Sequence, residues 1–360
     1  MNNLSDFKDD INKCSKCGLC QSVCPIYKIT GNDCAVSRGK FVMLDGVLKG
    51  DLKLNKTINK YLDMCLKCGK CKDFCPSGID VCKIFNTAKH EYIKNTLEGK
   101  ITFFLQSKFV FGNFIKFFKI FSEKIFRKKT KNEKGLKLVY FKGCVNNIFP
   151  KSENSMKKIF SHLDNIELIE KDFECCGLPF LSSGNLERFE EVKNHNLKLL
   201  NCDFDYILTD CASCESTLKS YSTDFSFTNT AEFLSRQNLK FKFKNPVKVT
   251  FHKPCHLENI DFLPELLKKC ENVEYIEMKD FDECCGFAGS FAIKNPKLSA
   301  KLSKTKAENI IQTQADYVLT TCPACILGLR QGLLLKGKKA PKIMNIIDFL
   351  ATAEIINADK

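Results

Sequence analysis

From residue 136 onward, short apolar runs alternate with longer stretches whose apolar positions recur at helical spacing. "LKLVYF" (136–141), "NIELIE" (165–170) and "DYILT" (205–209) are β-rich runs of strand length. Between them, "SENSMKKIFSHL" (152–163) opens on a serine start, and "LERFEEVKNHNLKLL" (186–200) continues the helical spacing. Strand followed by helix, repeated, predicts a parallel sheet flanked by helices. The pattern then starts again: "VKVTFHKPC" answers "LKLVYFKGC", and "DYVLTTCPAC" (316–325) answers "DYILTDCASC" (205–214). Upstream the patterning changes, and 27–64, "YKITGNDCAVSRGKFVMLDGVLKGDLKLNKTINKYLDM", reads as mainly helical. Residues 99–135 are apolar, aromatic and basic, with Lys108, Lys116 and Lys119 interrupting any membrane-spanning run. That stretch reads as a helical linker whose Phe face packs between domains, or else as a helix lying on an anionic membrane surface.

The chain of 360 residues is 44% hydrophobic and 27% charged, which suits a soluble protein of two or three domains. Its outlying feature is 22 cysteines. The first residues, "MNNLSDFKDD", have no apolar signal region, so the expected setting is cytoplasmic and the thiols are expected to bind metal rather than pair. Cysteine spacing divides the chain into 1–98, 99–135, 136–246 and 247–360.

"CSKCGLCQSVCP" supplies Cys14, Cys17, Cys20 and Cys24, and "CLKCGKCKDFCP" supplies Cys65, Cys68, Cys71 and Cys75, each run closing on a proline. This is the spacing of bacterial two-cluster ferredoxins. Three cysteines at three-residue intervals can each reach a different iron of one cube, while the fourth serves the other cube. The spacing therefore assigns Cys14, Cys17, Cys20 and Cys75 to one [4Fe–4S] cluster, and Cys65, Cys68, Cys71 and Cys24 to a second. Structural zinc uses two separated CxxC pairs and has no place for a third cysteine in register. The interval between the two runs exceeds that of the smallest ferredoxins, so a helical ferredoxin domain is expected over 1–98.

Residues 136–246 contribute Cys144, Cys175, Cys176, Cys211 and Cys214; residues 247–360 contribute Cys255, Cys284, Cys285, Cys322 and Cys325. Cys144 and Cys255 stand 111 positions apart, Cys175 and Cys284 109, and Cys211 and Cys322 111. Such a register marks an internal repeat. Each cysteine falls at or after the C-terminal end of an expected strand, the edge at which open α/β sheets bind ligands. Gly177 and Gly286 would allow a sharp turn beside each doublet. Thr209-Asp210 and Thr320-Thr321 are expected as N-caps of the helices carrying the CxxC pairs. Metal or cluster ligation and redox-active thiols both remain open for these ten residues. His252 and His256 flank Cys255, whereas Cys34, Cys82, Cys202 and Cys270 fit no set and are expected as core thiols.

The net charge of +14 invites nucleic acid or anionic lipid, yet only five of 56 basic residues are Arg. Two anionic clusters would lower the total to about +10 once their ligands deprotonate. Nucleic acid is therefore not an expected partner.

With "CGLCQSVCPIY", "SRGKFVMLDGVLKG", "CLKCGKCKDFCPSGID", "HKPCHL", "ECCGFAGSF" and "TTCPAC" in this order, the chain resembles the iron–sulfur subunit of glycolate oxidase. It is also similar to the C subunit of anaerobic glycerol-3-phosphate dehydrogenase and, in its second part, to the B subunit of heterodisulfide reductase. Ser37-Arg38-Gly39-Lys40 departs from the Pro-Arg-Gly-Arg usual in the family. The resemblance implies an α-helical two-cluster ferredoxin domain followed by two α/β cysteine-rich (CCG) domains with parallel-sheet cores. It implies an electron-transfer subunit of a 2-hydroxy acid (glycolate or D-lactate type) dehydrogenase complex. The FAD would sit on a separate partner chain, with electrons passing on to the quinone pool and the subunit at most peripheral to the membrane. In agreement, the sequence has no G-x-G dinucleotide fingerprint, so neither flavin nor NAD is expected on this chain. The likeness to heterodisulfide reductase implies one or two further, non-cubane clusters at the CCG domains. It makes Cys284, Cys285 and Cys176 candidates for thiol–disulfide catalysis.

Overall fold

The computed structural model of the chain describes residues 3–107, 135–148, 151–221, 224–337 and 340–357. Most of the linker expected over 99–135 lies outside these residues; its start falls in the helix Leu97–Leu105.

Residues 3–107 carry helices and, among the described residues, no strand. In Val81–Ile93 the buried positions Val81, Ile84, Phe85 and Ala88 follow the spacing of one helical face. Asp80 caps that helix by accepting from the Lys83 amide, and Asn55 does the same for Lys56–Asp63 through the Thr57 and Ile58 amides. Phe41 and Leu44 of Ser37–Lys49 close onto this face, with the Phe41 and Phe85 rings 5.3 Å apart. Shorter helices, Leu19–Ser22, Pro25–Thr30 and Lys70–Asp73, follow the cysteine turns.

The rest of the chain builds two sheets. The first comprises β1 (Leu136–Tyr140), β2 (Ile166–Glu170), β3 (Tyr206–Thr209) and β4 (Phe227–Asn229), all parallel in the order β2-β1-β3-β4. The second comprises β5 (Leu239–Phe251), β6 (Cys270–Tyr275), β7 (Tyr317–Thr320) and β8 (Lys342–Asn345) in the matching order β6-β5-β7-β8. Here the structure adds to the expectation of purely parallel cores, because β9 (Glu354–Asn357) pairs antiparallel with the start of β5. β5 also runs through position 246, where a boundary was expected. Its register slips between Lys242 and Val247, around Pro246, which has no amide hydrogen to offer the ladder.

The central strands read as unbroken apolar runs because both their faces are covered. Alternate residues separate into two layers. Leu138, Tyr140, Leu208, Val249, Phe251 and Leu319 join one core that spans both sheets. Val139, Phe141, Ile207 and Val318 join a second, which also holds seven of the buried cysteines. The copies are tied by backbone as well: the Ala212 amide donates to the Thr321 carbonyl at 2.8 Å, and the Asn345 amide group donates to the Asp210 carbonyl at 2.9 Å.

Candidate metal centre

The cysteines of both copies lie beyond the C-terminal ends of their strands: Cys144 after β1, Cys175 and Cys176 after β2, and Cys211 and Cys214 after β3. Cys255, Cys284, Cys285, Cys322 and Cys325 repeat this after β5, β6 and β7. Gly177 and Gly286 take left-handed φ values of 87° and 82°, which turns the chain back directly after each doublet. The expected caps are not the observed ones. Cys211 and Cys322 themselves occupy the N-cap positions of Ala212–Lys219 and Pro323–Leu334. Asp210 instead accepts a 2.6 Å hydrogen bond from the buried Tyr140 hydroxyl, so its carboxylate is turned away from the helix it precedes.

The two sets open onto one shared cavity. A cavity of about 150 Å³ is lined by Cys144, Cys176, Cys211 and Cys214 from one copy and Cys255, Cys284, Cys285, Cys322 and Cys325 from the other. Cys175 lies just behind, hydrogen-bonded to Cys144 and Cys176. Cys211 and Cys322 are hydrogen-bonded to each other across the junction. Eight of the ten thiols are buried, and Cys144 and Cys255 are half-buried.

Within each set the protons are shared unequally. Hydrogen bonds from Cys284 and Cys325 hold Cys285 down to about 5, despite burial. Cys176 is held well below the usual thiol range by Cys175 and Cys214, and Cys322 by Cys211 and Cys325. Their partners Cys175, Cys214 and Cys325 are pushed up, first by the hydrogen bonds they donate, and so is Cys255, which donates to Cys284. A convergent group of buried thiols is a donor set that metal binding would deprotonate.

The N-terminal cysteines form two further groups. Cys14, Cys17, Cys20, Cys71 and Cys75 line a cavity of about 30 Å³. Cys24, Cys65 and Cys71 lie close enough to influence one another, and Cys68 sits near Cys65 but also near Cys255 and Cys284 of the shared cavity. Buried lysines surround the second group. Lys40 donates to the Ala35 carbonyl and lies 5.5 Å from the Phe85 ring centroid, as does Lys67. The Lys67 ammonium is buried with no hydrogen-bond partner. Burial alone would push the Cys65 thiol up, but the charges of Lys67 and Lys40 outweigh it and the group is lowered. An orphaned buried cation beside thiols suits a net-anionic iron–sulfur cluster, and so does the all-sulfur donor set.

Some contributors escaped sequence reasoning. Cys82, expected as a core thiol, is half-buried beside Cys65 and Cys71, with burial pushing it up to about 12. Cys202 and Cys270 are half-buried and pack against the two cores, as expected, whereas Cys34 is half-buried outside them. His256 joins the modules: one ring nitrogen lies 3.0 Å from the Lys67 carbonyl and the other 3.0 Å from the Ser213 hydroxyl, which is itself 3.6 Å from Cys322 Sγ. Lys89 reaches the cavity wall while paired with Asp63 at 2.5 Å and donating to the Ser182 carbonyl. No described helix is long and apolar enough to cross a membrane.

Comparison with known proteins agrees with this arrangement. A cysteine-rich domain family (CCG) matches residues 138–219 and again 249–330, and a 4Fe-4S dicluster domain family matches 10–79. An uncharacterized iron-sulfur protein of Methanococcus maripaludis is 28% identical over 371 residues, covering 96% of this chain and 74% of its own length. The B subunit of the fumarate reductase (CoM/CoB) of Methanothermobacter marburgensis is 33% identical over 189 residues, which is 50% of this chain but 38% of that protein. The probable glycolate oxidase iron-sulfur subunit of Bacillus subtilis is 21% identical and aligned over 97% of this chain and 96% of its own. Among solved structures, a hypothetical protein from Helicobacter pylori shares the fold with a TM-score of 0.55 at 10% identity, over 88% of this chain and 66% of that one.

Proposed function

We propose, from the premise that the chain belongs to the CCG-domain iron–sulfur oxidoreductases, that it is the electron-transfer subunit of a flavin-dependent 2-hydroxy acid dehydrogenase complex. In this reading a separate FAD-bearing partner oxidises the hydroxy acid, and this subunit carries the electrons toward the quinone pool from the cytoplasmic side. The names of relatives, a probable glycolate oxidase iron-sulfur subunit and lactate utilization protein A, support it. A helical ferredoxin domain would hold one [4Fe–4S] cluster on Cys14, Cys17, Cys20 and Cys75 and another on Cys65, Cys68, Cys71 and Cys24. The five-thiol sets of the CCG copies would hold one or two more. Bound clusters supply one-electron storage at potentials set by charge, burial and hydrogen bonding.

The chain's own residues set those conditions. Lys40 and Lys67 place buried positive charge against the Cys24, Cys65 and Cys71 group. His256 fixes the Lys67 loop against Ser213, holding the modules in one register. The observation that carries the proposal is the position of Cys68, within electrostatic reach of Cys255 and Cys284, which makes the thiol groups continuous from the ferredoxin module into the CCG cavity. Anaerobic purification of the tagged protein at native expression, with acid-released flavin measured against iron, tests it. Flavin near one per chain is expected, with 2-hydroxy acids bleaching the clusters; clusters too low in potential to accept those electrons would overturn it.

The cavity also favours a second reading, a thiol–disulfide reductase. Both doublets reach a space large enough for a small ligand, and Lys67, Lys89 and Lys142 line its wall. That reading requires disulfide turnover above a thiol blank, abolished in Cys285→Ser.

A further inference from the structure

Superposing the repeats by their cysteines sets Phe141 of the first copy against His252 of the second, each three residues before its leading cysteine. Both side chains belong to the strand face opposite Tyr140 and Phe251, and both are fully buried. Phe141 is at home there, tilted against Phe173 with ring centroids 5.0 Å apart. His252 is not. Neither of its ring nitrogens completes a hydrogen bond, although the Phe281 carbonyl lies near the ring. A buried imidazole nitrogen without a partner is costly, roughly 1–3 kcal/mol.

The neighbours of the ring show what would answer it. One nitrogen of His252 and the sulfurs of Cys285 and Cys325 all lie within 4.8 Å of one another, and all three residues are buried. Gly328, in the helix Pro323–Leu334, brings that helix close: a Cβ there would stand 3.2 Å from Cys285 Sγ and 2.5 Å from Phe287. Burial favours the neutral imidazole, the form with a free lone pair. A ligating histidine ordinarily gives its other N–H to a backbone carbonyl, the part the Phe281 carbonyl can take.

We infer that His252 is a nitrogen ligand of the second CCG centre, bound to an iron it shares with Cys285 and Cys325, and that the first centre, with Phe141 in its place, has no such ligand. The inference rests on the reading that the CCG copies hold iron–sulfur clusters. It makes the two centres chemically unlike within a nearly symmetric frame.

The test uses anaerobically purified full-length protein, once at natural abundance and once grown with ¹⁵N-histidine. Iron, zinc and sulfide are counted first. Iron and sulfide both above about eight per chain, more than two cubanes hold, are expected. A count at or below that level, or zinc in the CCG region, removes the clusters there and with them both this ligand and the occupancy it rests on. With the count met, pulsed EPR of the partly reduced protein is expected to show a nitrogen coupling of the size given by a direct iron–nitrogen bond, altered by ¹⁵N-histidine. It should disappear in His252→Phe, which copies the first repeat, and in His252→Asn, and survive in His256→Gln. Full clusters with only the weak coupling of hydrogen-bonded nitrogen, or with a coupling lost in His256→Gln instead, overturn the inference and leave the electron-transfer reading standing.

Discussion

In residues 3–107 the cluster cysteines come from two short stretches, 14–24 and 65–75, on turns joined to helices of one or two turns; Cys17 is exposed and the other seven are half-buried. In the CCG pair each set is drawn from three loops spread over some seventy residues of chain, and eight of its ten thiols are buried under two sheets. The first arrangement is local. Leu19–Ser22 and Lys70–Asp73 bury none of their residues, so little besides a shared ligand can fix those turns. The second is topological, because the parallel ladders and the cores on both faces of β1, β3, β5 and β7 bring the loops together before any ligand is bound. In one half the ligand organises the chain; in the other the chain organises the ligand site.

Stripping the metal is the harshest way to break this comparison, and the largest effect is expected there. After oxidative removal of iron under chelator, amides of 14–30 and 65–77 should exchange at least about a hundredfold faster, while those of β1, β3, β5 and β7 keep most of their protection. Hydrogen exchange read by mass spectrometry decides it. Equal loss in both halves would mean that the CCG fold depends on its ligand as well.

Next comes damage to the frame itself. Leu208→Ala opens the core beneath β3, where the side chain is fully buried, and should lower stability by about 2–5 kcal/mol in both metal-loaded and stripped protein. A urea titration of each form checks it; a loss confined to the loaded form would contradict a ligand-independent frame. A finer contrast uses one backbone shape in two settings. Gly177 and Gly69 have φ of 87° and 80°, but a Cβ on Gly177 would stand 2.5 Å from Phe189, whereas on Gly69 it meets nothing within 4 Å. Gly177→Ala should therefore cost about 2–4 kcal/mol and disturb iron uptake at the first copy. Gly69→Ala should cost only about 1 kcal/mol, the left-handed penalty itself. Thermal melts alongside iron content distinguish the two.

The same contrast explains what could be read from the sequence. Local cysteine runs state their chemistry in spacing, and the strands "LKLVYF", "DYILT" and "DYVLT" declare themselves because both faces are apolar. The repeat register even places His252 opposite Phe141. β4, of three residues, and β9, which turns back along β5, carry too little pattern to stand out. The fusion of the two CCG sites depends on contacts such as Ala212 with Thr321, which no one-copy reading contains. Lys40, Lys67 and Lys89 were invisible because lysine ordinarily marks a solvated surface. Cys82 belongs to no motif, since its place beside Cys65 follows from the docking of Val81–Ile93 and not from spacing.

The seam between the two halves should respond least. Glu283 of the second copy lies 2.6 Å from the Lys28 ammonium and 3.6 Å from that of Lys70, which also pairs with Asp282 at 3.0 Å. Lys28 is 51% exposed, so water and salt screen much of this attraction. Buried polar contacts elsewhere on the seam are shielded: His90 Nδ1 lies 2.8 Å from the Gly184 carbonyl, and Asn295 donates to the Asp63 carbonyl at 2.9 Å. If those contacts fix the docking, Glu283→Gln should weaken it by only about 0.2–1 kcal/mol, and the difference should shrink as salt is raised. Urea titrations of the loaded protein at low and high salt measure both quantities. A larger loss that salt leaves unchanged would mean that the charged rim holds the ferredoxin module on the CCG pair, and the short path from Cys68 to Cys255 would then depend on Glu283.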